Sequence, residues 1–105
     1  MHRLVVNPGT SFSWEIQLKP GVNTLGRDAS NQFQISHHSV SHAHCEIVIA
    51  EEMVTIKDLG STNGTFVSDV QVREAVLKPG QTVHLGTVEV FFDPETPEKQ
   101  PEAAQ

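Results

Sequence analysis

The sequence has one cysteine, few basic side chains and no long apolar run, and each shortage removes a class of function. Cys45 is the only cysteine among 105 residues, so neither an intrachain disulfide framework nor a cysteine-based zinc site can form. A reducing, cytoplasmic compartment is the simplest setting for such a chain. The unbroken apolar runs, such as Leu4-Val5-Val6 and Ile47-Val48-Ile49-Ala50, fall far short of the roughly twenty residues of a membrane span, and no signal peptide or membrane insertion is expected. Seven Lys and Arg stand against thirteen Asp and Glu, a formal net charge of -6, which opposes binding to a nucleic-acid backbone through counterion release. Alanine is outnumbered four to one by Val, Ile and Leu together, which favours strands over helices.

The apolar residues that are present alternate. Trp14, Ile16 and Leu18 are interleaved with Glu15 and Gln17, and Val88, Val90 and Phe92 with Glu89 and Phe91; Val54 with Ile56 and Val83 with Leu85 repeat the period of two. Turn signals fall at Asn7-Pro8-Gly9, Lys19-Pro20-Gly21, Glu51-Glu52, Asn63-Gly64, Lys78-Pro79-Gly80 and Gly86-Thr87, the rhythm of an antiparallel β-sandwich of about ten strands with essentially no helix. Trp14, Ile16, Leu18, Phe33, Ile35, Ile47, Ile49, Val54, Ile56, Val83, Leu85, Val88 and Val90 are the expected core, with Cys45 a small buried residue rather than a nucleophile. Residues 93–105 hold three of the six prolines, four acids and no large apolar side chain, so they are expected to be an acidic, Pro-rich linker or disordered tail behind a single domain at 1–92. Removing the tail leaves that domain at a net charge of only -3. The whole has the look of one module of a larger protein.

Two polar stretches interrupt the strand rhythm, residues 26–44 and 58–65, and binding groups are expected there. Arg27 is the only Arg or Lys between Lys19 and Lys57 and follows Gly26 at the end of a strand pattern. A lone guanidinium among Ser36, Ser39, Ser41, Ser61, Thr62 and Asn63 suits one compact anion, because Arg offers a planar fork to phosphate while hydroxyls and amides add further donors.

Gly26-Arg27, then Ser39-Val40-Ser41-His42-Ala43-His44, then Asp58-Leu59-Gly60-Ser61-Thr62-Asn63-Gly64-Thr65-Phe66-Val67, resemble in order, spacing and identity a forkhead-associated (FHA) domain, over residues 1–92. The resemblance implies an eleven-stranded sandwich that recognises phosphothreonine-containing segments through loops at one end, without catalysis and without a cofactor. It implies a phosphorylated protein or peptide as partner, a Ser/Thr kinase upstream, and a monomeric signalling module mediating protein–protein contact. Arg27 matches the phosphate-contacting Arg, Ser41 the Ser whose hydroxyl and backbone hold another oxygen, Thr62 a residue lining the phosphate site, and Asn63 the Asn that bonds the ligand main chain. Gly26, His44 and Gly64 match residues that hold the loops. His42 stands where many members have Arg, Lys or Asn, and is expected to donate to phosphate with an affinity that rises as pH falls from 8 to 6.5.

Three other readings compete. His37, His38, His42 and His44 form the densest His cluster, but zinc would need three or four convergent ligands and no Cys pair assists. Ser41, His44 and Asp58 could be drawn as a hydrolase triad, but there is no G-x-S-x-G elbow, and Asp58 is expected to brace the Gly60-Ser61 turn instead. An FHA-like module making phosphate-independent protein contacts is the alternative function. In the tail, Thr96-Pro97 is a candidate phosphorylation site with a solvated linker as the plainer reading.

Overall fold

A computed structural model describes residues 2–93. Eleven strands follow one another: β1 (Arg3–Val6), β2 (Trp14–Gln17), β3 (Gly21–Gly26), β4 (Phe33–Gln34), β5 (Cys45–Ala50), β6 (Met53–Asp58), β7 (Thr65–Val67), β8 (Val70–Val72), β9 (Glu74–Val76), β10 (Thr82–Leu85) and β11 (Val88–Phe92). They form a six-stranded sheet in the order β2-β1-β11-β10-β7-β8 and a five-stranded sheet in the order β4-β3-β5-β6-β9. All pairings are antiparallel except β3 with β4. There is no helix among the described residues, so none that could cross a membrane.

The period of two does the sorting. Ile47 lies opposite Ile56 and Ile49 opposite Val54 on the inner face of one sheet; Leu4 faces Phe92, and Val83 and Val6 both flank Val90 on the other. These residues are buried, and with Leu25, Ile35, Val40, Cys45, Val67 and Leu77 they form one core between the layers. Burial pushes the Cys45 thiol up, the inert state expected of it. Two expected core members differ. Trp14 is 39% exposed because it opens the edge strand β2, at the last pair of its ladder with β1, and Phe33 is only partly buried on the short edge strand β4. The polar stretch 26–44 contains the short strand β4, and the short strands β8 and β9 follow β7.

One inward position of β3 is polar. Asn23 is fully buried opposite Ile47, and its amide accepts from Lys19 N (2.9 Å) and donates to Lys19 O (2.8 Å), Gly21 O (3.2 Å) and Ile47 O (3.0 Å). That set locks the Lys19-Pro20-Gly21 turn onto the sheet. Asp93, assigned to the tail by sequence, is tied to the fold: its N–H donates to Arg3 O (3.0 Å) and its carboxylate accepts from Arg3 Nε (2.9 Å) and pairs with the same guanidinium. The rest of the tail, with Thr96, lies outside the described residues.

The strand directions put two ends on the sandwich. The β3–β4, β4–β5, β6–β7 and β10–β11 connections gather at one end, while Arg3, Asp93 and the β5–β6 turn sit at the other.

Candidate functional site

The loop end is built on close backbone contact. Arg27 N donates to Ser41 O (2.8 Å), Asp28 N to His42 O (3.2 Å), and Ile35 N to Gly26 O (2.8 Å), so the end of β3 is clamped between the segment after β4 and the segment before β5. Gly26 permits this: a Cβ there would lie 2.2 Å from His42 O and 2.6 Å from the Asn31 amide, closer than atoms can approach. Asn31 in turn donates to His42 O (2.5 Å) and Asp28 O (2.8 Å). The Arg27 backbone is therefore fixed while its side chain projects into solvent.

His44 is the hub beneath. It is fully buried; Nδ1 accepts from Ser41 N (3.1 Å), which leaves the ring proton on Nε2, donated to Gly64 O (2.9 Å). Burial depresses its pKa, outweighing the raising effects of Gly64 O and the Asp58 charge, and the neutral ring is the form both bonds require. Gly64 O also accepts from Gly86 N (3.0 Å), joining the β6–β7 and β10–β11 connections at one oxygen. Gly86 has φ +63, and a Cβ on it would lie 2.3 Å from Ser39 O, so this approach also depends on glycine.

Asp58 organises the β6–β7 segment as expected. Its Oδ2 accepts from Gly60 N (3.0 Å) and Ser61 N (3.1 Å), and its Oδ1 from Ser61 Oγ (2.5 Å) and Thr65 Oγ1 (2.7 Å). Burial pushes the carboxyl up, but these bonds outweigh it and the net shift is downward. The Asn63-Gly64 turn is present, though only Gly64 takes a positive φ, +94. Asn63 contributes through its side chain, donating to Ser39 O (2.9 Å).

Hydroxyl accounting separates candidate ligands from scaffold. Ser39 is buried and its oxygen contacts His37 Nδ1 (2.9 Å) and Thr87 Oγ1 (3.0 Å) and accepts from Thr87 N (3.0 Å). Ser61 donates to Asp58 and accepts from Gly64 N (3.0 Å). Both hydroxyls are thus engaged within the fold. Ser41 differs: its Oγ accepts from Thr62 N (2.9 Å), which leaves its proton to donate outward. Its backbone N–H, expected to serve the ligand too, is engaged by His44.

Arg27, His38, Ser39, Val40, Ser41, Thr62 and Asn63 line one cleft of about 220 Å³. It contains no carboxylate, a cation stands in it, and the Ser41 hydroxyl and the exposed Thr62 and Asn63 side chains converge on it. A larger groove of about 750 Å³ between β6, β8 and β9 is lined by Lys57, Asp58, Arg73 and Glu74 among others, charges of both signs without a converging donor set. Four of the five binding residues expected from sequence, Arg27, Ser41, Thr62 and Asn63, are thus brought together; the loop-holding trio Gly26, His44 and Gly64 lies behind them. His42 is not in the lining. It is exposed on the Asp28 side, where its charge, after the Ser30 hydrogen bond and backbone contacts, helps to hold the Asp28 carboxyl low. His38 lines the cleft instead. Sequence reasoning also passed over Thr87, whose bond to Ser39 spans 48 residues and leaves no local signal.

The competing constellations do not assemble. Ser41 Oγ is not bonded to His44, whose Nε2 is committed to Gly64 O, and Asp58 faces Ser61 and Thr65, so no nucleophile–base–orienter series exists. Among the described residues no three His, Cys, Asp or Glu side chains cluster to hold a metal ion.

Residues 23–86, more than half of the chain, match the family model of the FHA domain. The FHA domain-containing protein FhaA of Mycobacterium tuberculosis is 38% identical over 75 residues, covering 71% of this chain but only 14% of FhaA. The FHA domain of the CT664 protein from Chlamydia trachomatis superposes with a TM-score of 0.82 at 29% identity, covering 91% of this chain and 100% of that one. An FHA domain solved for a structural and functional analysis of phosphothreonine-dependent FHA domain interactions gives 0.79 at 29% identity, covering 91% and 99%.

Proposed function

The chain belongs to the FHA-domain family, and from that premise we propose that it is a phosphothreonine-recognition module of a larger signalling protein. FHA domains are non-catalytic interaction modules, and the reading extends that to this chain: it binds a segment of a partner that a Ser/Thr kinase has modified, and it carries out no reaction. Residues 1–92 form the module, Asp93 closing it, and the remainder of the tail is a linker; the module acts as a monomer in the cytoplasm.

The observation that carries the reading is the Ser41 oxygen, held as an acceptor by Thr62 N in the cleft that Arg27 overlooks, so that its proton points to the ligand. A phosphate seated there takes the guanidinium of Arg27 on one side and the Ser41 hydroxyl on the other, with Thr62 at the wall. Asn63, anchored to Ser39 O by its amide nitrogen, keeps its side-chain oxygen to accept a main-chain N–H of the ligand. The phosphate carries about -1.5 to -2 charges, and in a cleft with no carboxylate of its own this charge meets no local repulsion.

The direct test is calorimetric titration with one threonine peptide in phosphorylated and unphosphorylated form. Only the phosphorylated peptide is expected to bind, and Arg27→Ala to weaken it about 10- to 100-fold, the loss of a charge-assisted hydrogen bond. Equal binding of both peptides would instead favour phosphate-independent contacts.

A further inference from the structure

The two histidines that the chain places near Arg27 have been given different surroundings. His42 is exposed and outside the cleft lining, its carbonyl held by Asp28 N and the Asn31 amide. His38 lies in the cleft wall beside Arg27 and Ser41. Its ring is braced by stacking on His37, with centroids 4.5 Å apart and planes 24° from parallel. His37 is itself fixed, since its Nδ1 accepts from Ser39 N (3.1 Å) and contacts Ser39 Oγ, which is bonded to Thr87. An exposed imidazole oriented by this relay is a built part of the wall.

Resting on the phosphothreonine reading above, we propose that His38, not His42, is the second cationic ligand of the phosphate, and that ligand binding is coupled to proton uptake at the His38 ring. The groups facing it support this. Arg27 from the end of β3 is the other charged side chain of the lining, Thr62 and Asn63 from the β6–β7 segment are neutral, and the stacked His37 adds a second imidazole. A phosphate seated between Arg27 and His38 favours imidazolium at His38, because an adjacent anion stabilises the protonated ring. The fold has thus moved the second cation from the residue after Ser41 to the residue three before it.

The test uses the 105-residue chain with ¹³C-labelled histidine and a capped single residue, N-acetyl-O-phosphothreonine N-methylamide, as the probe. The ring resonances of His38 and His42 are followed from pH 5.5 to 8, free and at saturating probe. Saturation is expected to raise the His38 midpoint by about one unit or more while His42 moves less. His38→Gln is expected to weaken binding about tenfold at pH 6.5 and less than about twofold at pH 8, each value taken relative to wild type at the same pH so that titration of the phosphate itself cancels. A His38 midpoint unmoved at saturation, or a larger shift at His42, overturns the assignment alone. Absence of saturable binding by wild type at both pH values overturns the phosphothreonine reading and this inference with it.

Discussion

Asn23 and His44 are single side chains on which the geometry of whole loops depends, and they differ in how far the sequence announces them. His44 stands in a recognisable string, Ser41-His42-Ala43-His44, whereas Asn23 sits between Val22 and Thr24 with nothing to mark it. Three of its four partners are backbone groups of Lys19 and Gly21 in the turn just before it, and the fourth, Ile47 O, arrives only when β3 pairs with β5, so its burial is not readable from the local pattern. Asn23→Ala would strip a partner from the buried Ile47 carbonyl and from the part-buried Lys19 and Gly21 backbone groups. The expected cost is on the order of 2–4 kcal/mol in urea unfolding, with phosphopeptide affinity of the folded protein unchanged, since the residue is remote from the cleft. A loss below about 0.5 kcal/mol would mean that water or a shifted turn replaces the amide. The same limit explains His42 and His38. Neighbourhood to Ser41 along the chain pointed to His42, but which imidazole reaches the cleft depends on the turn over Ile35–Val40, closed by His37 N to Ile35 O and Val40 N to His37 O.

At the level of elements, alternation made β2, β6, β10 and β11 legible, and the apolar runs marked β1 and β5. The short strands β4, β8 and β9 were not, because two or three residues carry too little alternation to register. Their connection has no glycine signal either: the β7–β8 turn is Ser68-Asp69, both with positive φ (50° and 69°). This is the geometry of a two-residue hairpin turn that Asn-Gly fills most easily, and Ser and Asp occupy it at some strain. Asp69→Gly is therefore expected to stabilise the protein by about 0.5–1 kcal/mol, the relief of positive φ offset in part by a more flexible unfolded chain. Chemical denaturation measures it directly, and a destabilised variant would show that the aspartate side chain contributes more than its backbone costs.

For the molecule as a whole, proton linkage runs in two opposing directions. Burial lowers the His44 pKa, and burial together with the nearby chain amino group lowers that of His2, so the unfolded state takes up protons that the folded state refuses. Stability from these rings is complete above their ordinary value near 6.5 and is lost as pH falls below it. The Asp58 and Asp28 carboxyls, also lowered, add a second loss below their ordinary value of 3.8. The thermal midpoint is accordingly expected to be highest above pH 7 and to decline between pH 6.5 and 5, followed by circular dichroism; a flat profile over that interval would contradict the role given to His44. Binding through His38 runs the other way, strengthening as pH falls. The pH of tightest ligand binding therefore lies below that of greatest stability.

The ends of the described chain lie side by side, Arg3 and Asp93 joined across the antiparallel pair β1 and β11, at the pole opposite the cleft. A pull applied to those two residues would open the β1–β11 ladder like a zipper, one hydrogen bond after another, instead of loading all of them at once. Such a joint yields at low force. Any host protein that transmits tension through this module would lose the β1–β11 pairing in the middle of the six-stranded sheet first, while the cleft, held by Gly26, His44 and Gly64 at the far pole, would be the last part to feel the strain.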